Sequence, residues 1–128
     1  MQDFQNLIVW QKAHEFVLGV YLLTVNLPRT EDFGIKSQLR RYAVSIPANI
    51  AEACGRESNK EFAQFLRISM GSACESEHFL ILLKDLGYIN EAEWKEGSSV
   101  LIEVKKMLAT LIRKRRKETN NCVLLTGF

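Results

Sequence analysis

The sequence predicts an all-α protein, an antiparallel up-down-up-down four-helix bundle. Apolar residues recur every three or four positions along four long stretches, and only a few residues connect one stretch to the next. An alternating strand pattern of useful length is absent from the sequence. The 128 residues, 47% hydrophobic and 25% charged, are typical of one soluble domain. We therefore expect a bundle over residues 1–118 and a C-terminal tail over residues 119–128.

The first predicted helix covers residues 7–27 and ends before Pro28, which cannot donate a backbone hydrogen bond. Its apolar side chains recur on one face, and Thr24 is the single polar member of that stripe. The stripe contains Trp10, Ala13, Phe16, Val17, Val20, Tyr21 and Leu27.

The second helix is expected to begin at Thr30, a favourable N-cap, with Glu31 and Asp32 near the positive end of the helix dipole. Gly55 suits the left-handed position just past a helix end. Between these ends the apolar stripe contains Ile35, Leu39, Tyr42, Ala43, Ile46, Ile50 and Cys54.

A proline interrupts this second helix. Pro47 removes one backbone donor and clashes with the preceding turn, so we expect a kink at this position. If the helix restarts there, the Ser45 hydroxyl is placed to cap the amide of Ala48.

Capping signals mark the third and fourth helices. Ser58 and Glu61 form a capping box, and Asn90 with Glu93 resembles one. Gly87 is expected to end the third helix. Ile89 and Trp94 stand at the spacing of a hydrophobic staple at the start of the fourth.

Two helices carry more apolar surface than one stripe requires. In the first and third helices the additional residues are Leu7, Ile8, Val9, Leu18, Leu22, Leu23, Phe79, Ile81 and Leu82. Because a monomer of this size would expose part of that surface, we expect the protein to form a homo-oligomer.

A polar strip runs along the second helix about 100° from its apolar stripe. Its members are Gln38, Arg41, Ser45, Asn49, Glu52 and Arg56, and we place Glu75 of the third helix in the same network. One interpretation is a solvated face with a Glu52–Arg56 pair. We favour a partly buried network at a helix or subunit interface, which would fix the packing register.

Catalytic and metal chemistry find little support in the sequence. Glu75 and His78 form one E-x-x-H unit, but di-iron bundles need two and the only other histidine is His14. Cys74 and His78 share a helix face without a third group to orient them. Neither a nucleophile elbow nor a phosphate-binding loop is present. We therefore predict no enzyme activity, catalytic residue, metal, cofactor or small-molecule substrate.

The remaining composition favours a cytoplasmic protein. No apolar run approaches the roughly 18 residues of a membrane span, and no basic stretch precedes an apolar one at the N-terminus. The cysteines Cys54, Cys74 and Cys122 form no paired motif, which is typical of reduced thiols. We expect no contact with a membrane.

Basic residues are clustered although the net charge is only +2. The candidate nucleic-acid-binding residues are Lys105, Lys106, Arg113, Lys114, Arg115, Arg116 and Lys117, with Arg56, Lys60 and Arg67 as a second group. Cations at a helix C-terminus also offset its dipole and improve solubility. Five in succession exceed that need, so we predict RNA binding through the phosphate backbone. The alternative is a protein-interaction scaffold whose basic end serves solubility alone.

Several motifs together resemble a known family. They are LIVWQKA at residues 7–13, QLRRYAVSIPANIAE at residues 38–52, Gly55-Arg56, and Gly71-Ser72 with Glu75. This pattern is similar to the bacterial four helix bundle protein family, whose founding members are encoded in intervening sequences of large-subunit ribosomal RNA genes. The likeness extends to about Leu111, and Ala53 departs from it because family members commonly have glycine there.

The resemblance carries expectations of its own. It implies a four-helix protomer that assembles as a ring-like pentamer and has no enzymatic activity. It also implies kinship with the accessory variability protein of diversity-generating retroelements, a basic bundle that binds RNA and a reverse transcriptase. For this chain we expect ribosomal RNA or an RNA–protein complex as the partner.

Overall fold

The computed structural model describes the backbone of residues 3–126 and the side chains of residues 3–115. Within this range the chain forms four α-helices and no strand: α1 (Ile8–Thr24), α2 (Ile35–Cys54), α3 (Asn59–Asp85) and α4 (Glu91–Thr126). Short 3-10 turns, Phe4–Asn6 and Arg29–Glu31, precede α1 and α2. The predicted all-α fold class is confirmed.

Each helix packs antiparallel against the two helices beside it. The Ser72 hydroxyl of α3 reaches Ser45 of α2, while Arg40 of α2 reaches back to Thr24 of α1. At the other seams, Lys105 of α4 pairs with Glu77 of α3, and Lys12 of α1 pairs with Glu103 of α4. This pairing gives the up-down-up-down topology. The ends of α1 and α3 therefore meet the starts of α2 and α4.

One apolar core fills the space between the helices. Its fully buried side chains come from all four helices and include Val20, Leu39, Ile46, Ile50, Leu66, Leu80, Leu83, Leu101, Val104 and Leu108. Burying a side chain of this size contributes about 1.5 to 3 kcal/mol, so this core is the main source of stability.

The predicted capping signals of α3 and α4 are confirmed. The Ser58 hydroxyl accepts a hydrogen bond from the Glu61 amide at 3.1 Å. Asn90 and Glu93 exchange side-chain-to-amide hydrogen bonds of 2.8 and 2.9 Å. Gly87 follows α3 with φ +80°, the left-handed conformation that glycine adopts without strain.

The predicted start of α2 is wrong. Thr30, Glu31 and Asp32 belong to the connection, where Arg29–Glu31 form a 3-10 turn, and α2 begins only at Ile35. Because 3-10 turns are common beside the ends of α-helices, the capping pattern does not separate a short 3-10 turn from the first turn of an α-helix. Asp32 instead accepts from Lys36, four residues later, at 3.5 Å.

The left-handed conformation expected for Gly55 is wrong, and the condition for Ser45 to cap Ala48 is not met, while the kink expected at Pro47 stays a prediction. Gly55 has φ −86° and stays right-handed, because its amide and the next one donate to carbonyls three residues back and tighten the last turn. The helix is unbroken through Pro47, so it does not restart there. The Ser45 hydroxyl therefore bonds to Asn49 and Ser72 instead of capping Ala48.

The apolar surface of α1 divides differently from its predicted stripe. Val9 is buried, whereas Tyr21 is 42% exposed. Of the additional apolar residues, Ile8, Leu18 and Leu22 are exposed, with Leu22 at 78%. In α3, Phe79 is buried and Ile81 is exposed. The described residues therefore present an apolar outer face on α1, as the prediction of self-association requires.

Candidate nucleic-acid interface

Arg115 connects the basic stretch of α4 to the start of α3. Its Nη1 donates to Asn59 Oδ1 at 3.3 Å, and its guanidinium carbon lies 4.4 Å from the centre of the Phe62 ring. The Arg115 guanidinium is attracted to the Phe62 ring by the electrostatic quadrupole of the ring, and the two groups also pack against each other. Arg115 is consequently half-buried and fixed in direction.

Arg56, from the second predicted group, lies at the same end of the bundle. It pairs with Glu52 and covers the Phe65 ring, with the guanidinium carbon 4.7 Å from the ring centre. Arg56 and Arg115 line one open cleft, which also contains the buried Cys54. Burial raises the pKa of the Cys54 thiol, and the positive charge of Arg115 opposes that rise. The fold thus brings together arginines that are 59 positions apart (115 − 56).

The exposed cations of this end have few partners. Lys60, Arg113 and Lys114 are exposed, and no described acidic side chain pairs with them. Among the described residues, Arg113 donates a 3.5 Å hydrogen bond from Nη2 to Thr110 Oγ1. We call Arg56, Lys60, Arg113, Lys114 and Arg115 the basic end. Arg116 and Lys117 follow it in the same helix, and their side chains lie outside the described residues.

Helix α4 does not end at the basic stretch. Its backbone remains helical to Thr126, through most of the segment predicted as a tail. The basic residues therefore do not occupy the last turn, where they would offset the helix dipole most strongly. This position weakens the explanation of the basic stretch as a dipole cap.

Three predicted binding residues lie away from the basic end. Lys105 is held by Glu77 at 3.0 Å, and this hydrogen bond raises the pKa of the Lys105 ammonium. Lys106 faces the α1 side of the bundle, beside a groove that contains Ile8. Arg67 lies two turns along α3 from Lys60, about 10 Å away. The structure therefore does not gather all ten predicted cations on one surface.

The predicted polar strip is divided between a network and open surface. Asn49 Nδ2 donates to the Ser45 carbonyl at 2.8 Å and to its hydroxyl at 2.9 Å, and the Ser72 hydroxyl donates to Ser45 Oγ at 2.8 Å. Deeper in the seam, Ser69 Oγ donates to the Ile46 carbonyl at 2.9 Å. We call Ser45, Asn49, Ser69 and Ser72 the polar seam.

The other members of the strip do not join the polar seam. Gln38, Arg41 and Glu75 are exposed, and no side-chain hydrogen bond or ion pair joins them to another described residue. Glu52 pairs with Arg56 on the surface. The strip is therefore a helix–helix contact at its centre and a solvated face towards its ends.

A further polar cluster was not predicted. Arg40 Nε donates to Thr24 Oγ1 at 2.8 Å, its Nη2 donates to the Tyr21 carbonyl at 3.3 Å, and its guanidinium lies 4.3 Å from the Tyr21 ring centre. Thr24 is fully buried and also donates to the Val20 carbonyl. The sequence feature that pointed to this cluster was Thr24, the single polar residue in the predicted apolar stripe of α1.

The residues weighed for catalysis are on the surface. Cys74, Glu75 and His78 are all exposed, and His78 contacts the neighbouring Phe79 ring edge-on at 5.1 Å. Among the described side chains, no group of three or more His, Cys, Asp or Glu is placed to hold a metal ion. In the same part of the chain, no helix is long and apolar enough to cross a membrane.

Comparison with known proteins identifies the family. The family described as 23S rRNA-intervening sequence protein matches residues 5–110, which include α1, the polar seam and most of α4. The chain belongs to this family. The match to the intervening sequence protein family ends before Arg113, so the basic stretch lies beyond the matched residues.

A solved structure supports the same family. A protein of unknown function from the S23 ribosomal protein family of Bacteroides thetaiotaomicron is 30% identical, with a TM-score of 0.75. The alignment covers 82% of this chain and 98% of that one. A comparison with curated proteins returned no significant match. These relatives establish the family and the fold, and they leave the function to be argued from the residues.

Proposed function

We propose that this intervening sequence protein binds RNA electrostatically through the basic end and has no enzymatic activity. The observation that carries the proposal is the convergence of α2, α3 and α4, which brings Arg56, Lys60, Arg113, Lys114 and Arg115 to one end of a protein whose net charge is only +2. The family's origin in ribosomal RNA genes favours ribosomal RNA, or an RNA–protein complex, as the partner. The proposed location is the cytoplasm.

The geometry favours recognition of phosphates. Arg56 and Arg115 are stacked on Phe65 and Phe62, so their guanidiniums lose little freedom when an anion binds. The same stacking covers these two rings, which are then not open to bases. We therefore expect binding that depends on backbone charge and RNA shape more than on base sequence.

The test is fluorescence anisotropy with a structured RNA hairpin at two salt concentrations, about 50 and 200 mM. A variant carrying Arg113→Gln, Lys114→Gln, Arg116→Gln and Lys117→Gln removes four charges and retains Arg115, which packs on Phe62. A matched control removes four charges elsewhere through Arg29→Gln, Lys36→Gln, Arg41→Gln and Lys95→Gln.

The two variants have the same net charge and should behave differently. We expect the first to bind at least about tenfold more weakly at low salt, and its affinity to depend less steeply on salt, by a slope of about one for each phosphate it no longer neutralises. The control should retain the parent affinity within about threefold. Equal losses of affinity in both variants, or no binding by the parent at low salt, would contradict the proposal.

Self-association is a second proposal, supported by the exposed Leu18 and Leu22 on α1. A ring-like pentamer is the assembly that the family resemblance implies, and multiplying the basic end around a ring would strengthen RNA binding. Light scattering should give the mass of an oligomer at micromolar concentration, and Leu18→Glu with Leu22→Glu should lower it. The matched pair Ile68→Glu and Ile102→Glu should leave it unchanged. A monomeric parent would contradict self-association and, with it, the ring-like pentamer.

A further inference from the structure

We propose that the groove between α1 and the first turns of α4 is a docking site for a basic amphipathic helix of a partner protein. The groove encloses about 330 Å³ and is open to solvent on one side. Its floor is apolar and is made of Phe16, Val20, Leu23, Leu80 and Val100. It lies at the end of the bundle opposite the basic end, so the proposal does not depend on RNA binding.

Glycines keep this groove open. Gly19 lies in the middle of α1, and a Cβ atom built there meets no atom within 4 Å. Glycine is the least favourable helix residue after proline, so Gly19 weakens α1 without allowing any closer contact within the part of the chain that the structure describes. Across the groove, a Cβ on Gly97 would come within 3.3 Å of Leu80 Cδ1. The space above Gly19 is therefore available to a second molecule.

The charge of the rim selects the occupant. Glu15, Glu93 and Glu96 line the groove, and none of the described residues that line it is cationic. Glu93 and Glu96 lie in the first two turns of α4, where carboxylates also offset the helix dipole, but Glu15 is in the middle of α1. Carboxylates from two helices thus border one apolar floor.

This combination fits one class of ligand. An amphipathic helix places apolar side chains at successive turns on one face and can carry lysine or arginine along both edges of that face. Its apolar face would cover the floor, and its cations would pair with the carboxylates of the rim. Glu93 already accepts from the Asn90 amide, but an acidic or uncharged helix would bury the carboxylates of Glu15 and Glu96 without partners, which is costly.

The test uses a fluorescent leucine–lysine peptide of about 18 residues, long enough to form an amphipathic helix, titrated with the full chain. The same peptide with glutamate in place of lysine is the charge control. We expect the lysine peptide to bind at least about tenfold more tightly than the glutamate peptide and to weaken as salt is added.

Two glycine variants locate the site. Gly19→Leu fills the groove and should weaken binding of the lysine peptide at least about tenfold. Gly71→Leu is the matched control: it lies inside α3, its Cβ also meets nothing within 4 Å, and it is not part of the groove. It should leave binding within about twofold of the parent. The melting temperature of both variants should be no lower than that of the parent, because leucine is a better helix former than glycine.

Three outcomes would overturn the inference. Equal binding of the two peptides would mean that the rim charge plays no part. Unchanged binding by Gly19→Leu would mean that the peptide binds elsewhere. Leu22 lines the groove and is also one of the two residues proposed for self-association. If the lysine peptide does not bind and Gly19→Leu lowers the mass of an oligomer, the groove is therefore covered by a second copy of this chain.

Discussion

The polar seam and the basic end share the predicted polar strip, which supplies Ser45 and Asn49 of α2 to the seam and Arg56, just past the end of α2, to the basic end. The two regions differ in where their hydrogen bonds go. In the seam, Ser45 and Asn49 bond to each other, and Ser72 of α3 completes the network at 2.8 Å. At the basic end, Lys60 and Lys114 are exposed and pair with no described acidic side chain. One region satisfies its polar groups within the fold, and the other leaves its charge to solvent or to a partner.

This difference separates structure from function between two neighbouring regions of the bundle. A buried hydroxyl or amide without its partner would cost about 1 to 3 kcal/mol, so the seam fixes how α2 and α3 pack. Exposed cations contribute little to stability and much to the attraction of an anionic partner. Substitutions in the seam should therefore change stability, and substitutions at the basic end should change binding.

The largest effect on stability is expected for Ser69→Leu. Ser69 is fully buried between α2 and α3 and donates to the Ile46 carbonyl at 2.9 Å. A leucine overpacks the seam and removes that hydrogen bond, which should lower the free energy of unfolding by about 2 to 4 kcal/mol. Urea unfolding measures this. Ser69→Ala, which removes only the hydrogen bond, should cost about 1 kcal/mol, and equal effects of the two would show that the helices are not closely packed here.

A smaller effect is expected for Asn49→Ala. It removes both donations to Ser45 and should lower the free energy of unfolding by about 1 kcal/mol. Gln38→Ala, on the same strip but exposed, should stay within about 0.5 kcal/mol of the parent. If both variants unfold like the parent, the hydrogen bonds of the polar seam do not stabilise the fold.

Within the basic end, Arg115 and Lys114 should differ. Arg115→Gln removes the stacking on the Phe62 ring and the hydrogen bond to Asn59, so we expect it to lower the free energy of unfolding by about 0.5 to 1 kcal/mol. Lys114→Gln should change it by less than about 0.5 kcal/mol. Chemical unfolding of the two single variants provides the measurement. A larger decrease for Lys114→Gln would contradict the arrangement of side chains described above.

The smallest effect is expected for the Lys105–Glu77 pair. Because the pKa of Lys105 is raised above 10.5 in the folded protein, its contribution is fully present below the unfolded pKa and is lost as the pH rises through the folded value. Lys105→Met should therefore cost no more than about 0.5 kcal/mol at pH 7. Unfolding curves of parent and variant should converge as the pH is raised beyond about 10.5. A difference that persists unchanged would show that Lys105 acts through packing.

Local signals in the sequence predicted most of the fold. The caps at Ser58 and Asn90 and the stop at Gly87 involve neighbouring residues, and the structure forms each of them. The expectations at Thr30 and Gly55 were wrong. A 3-10 turn accepts the residue types of a helix N-terminus, and a tight last turn accepts glycine as readily as a left-handed helix end does.

Contacts between helices were harder to predict from the sequence. Arg40 reaches Thr24 across 16 positions, and Lys105 reaches Glu77 across 28, distances along the chain over which no local pattern operates. The polar strip was visible as a periodicity, but the facing Ser72 decided which of its members are held between helices. Clustering along the chain likewise did not reveal that Lys105 and Lys106 lie on different sides of α4.

The central claim is that the basic end binds RNA, whereas the polar seam stabilises the packing of α2 against α3. The most direct measurement is the affinity for one structured RNA at low salt, at a temperature where all proteins are folded, for the parent, Asn49→Ala and the four-substitution variant that retains Arg115. We predict parent-like affinity for Asn49→Ala and at least about a tenfold weaker affinity for the charge variant. Parent-like affinity in the charge variant, or an equal weakening in Asn49→Ala, would contradict this account.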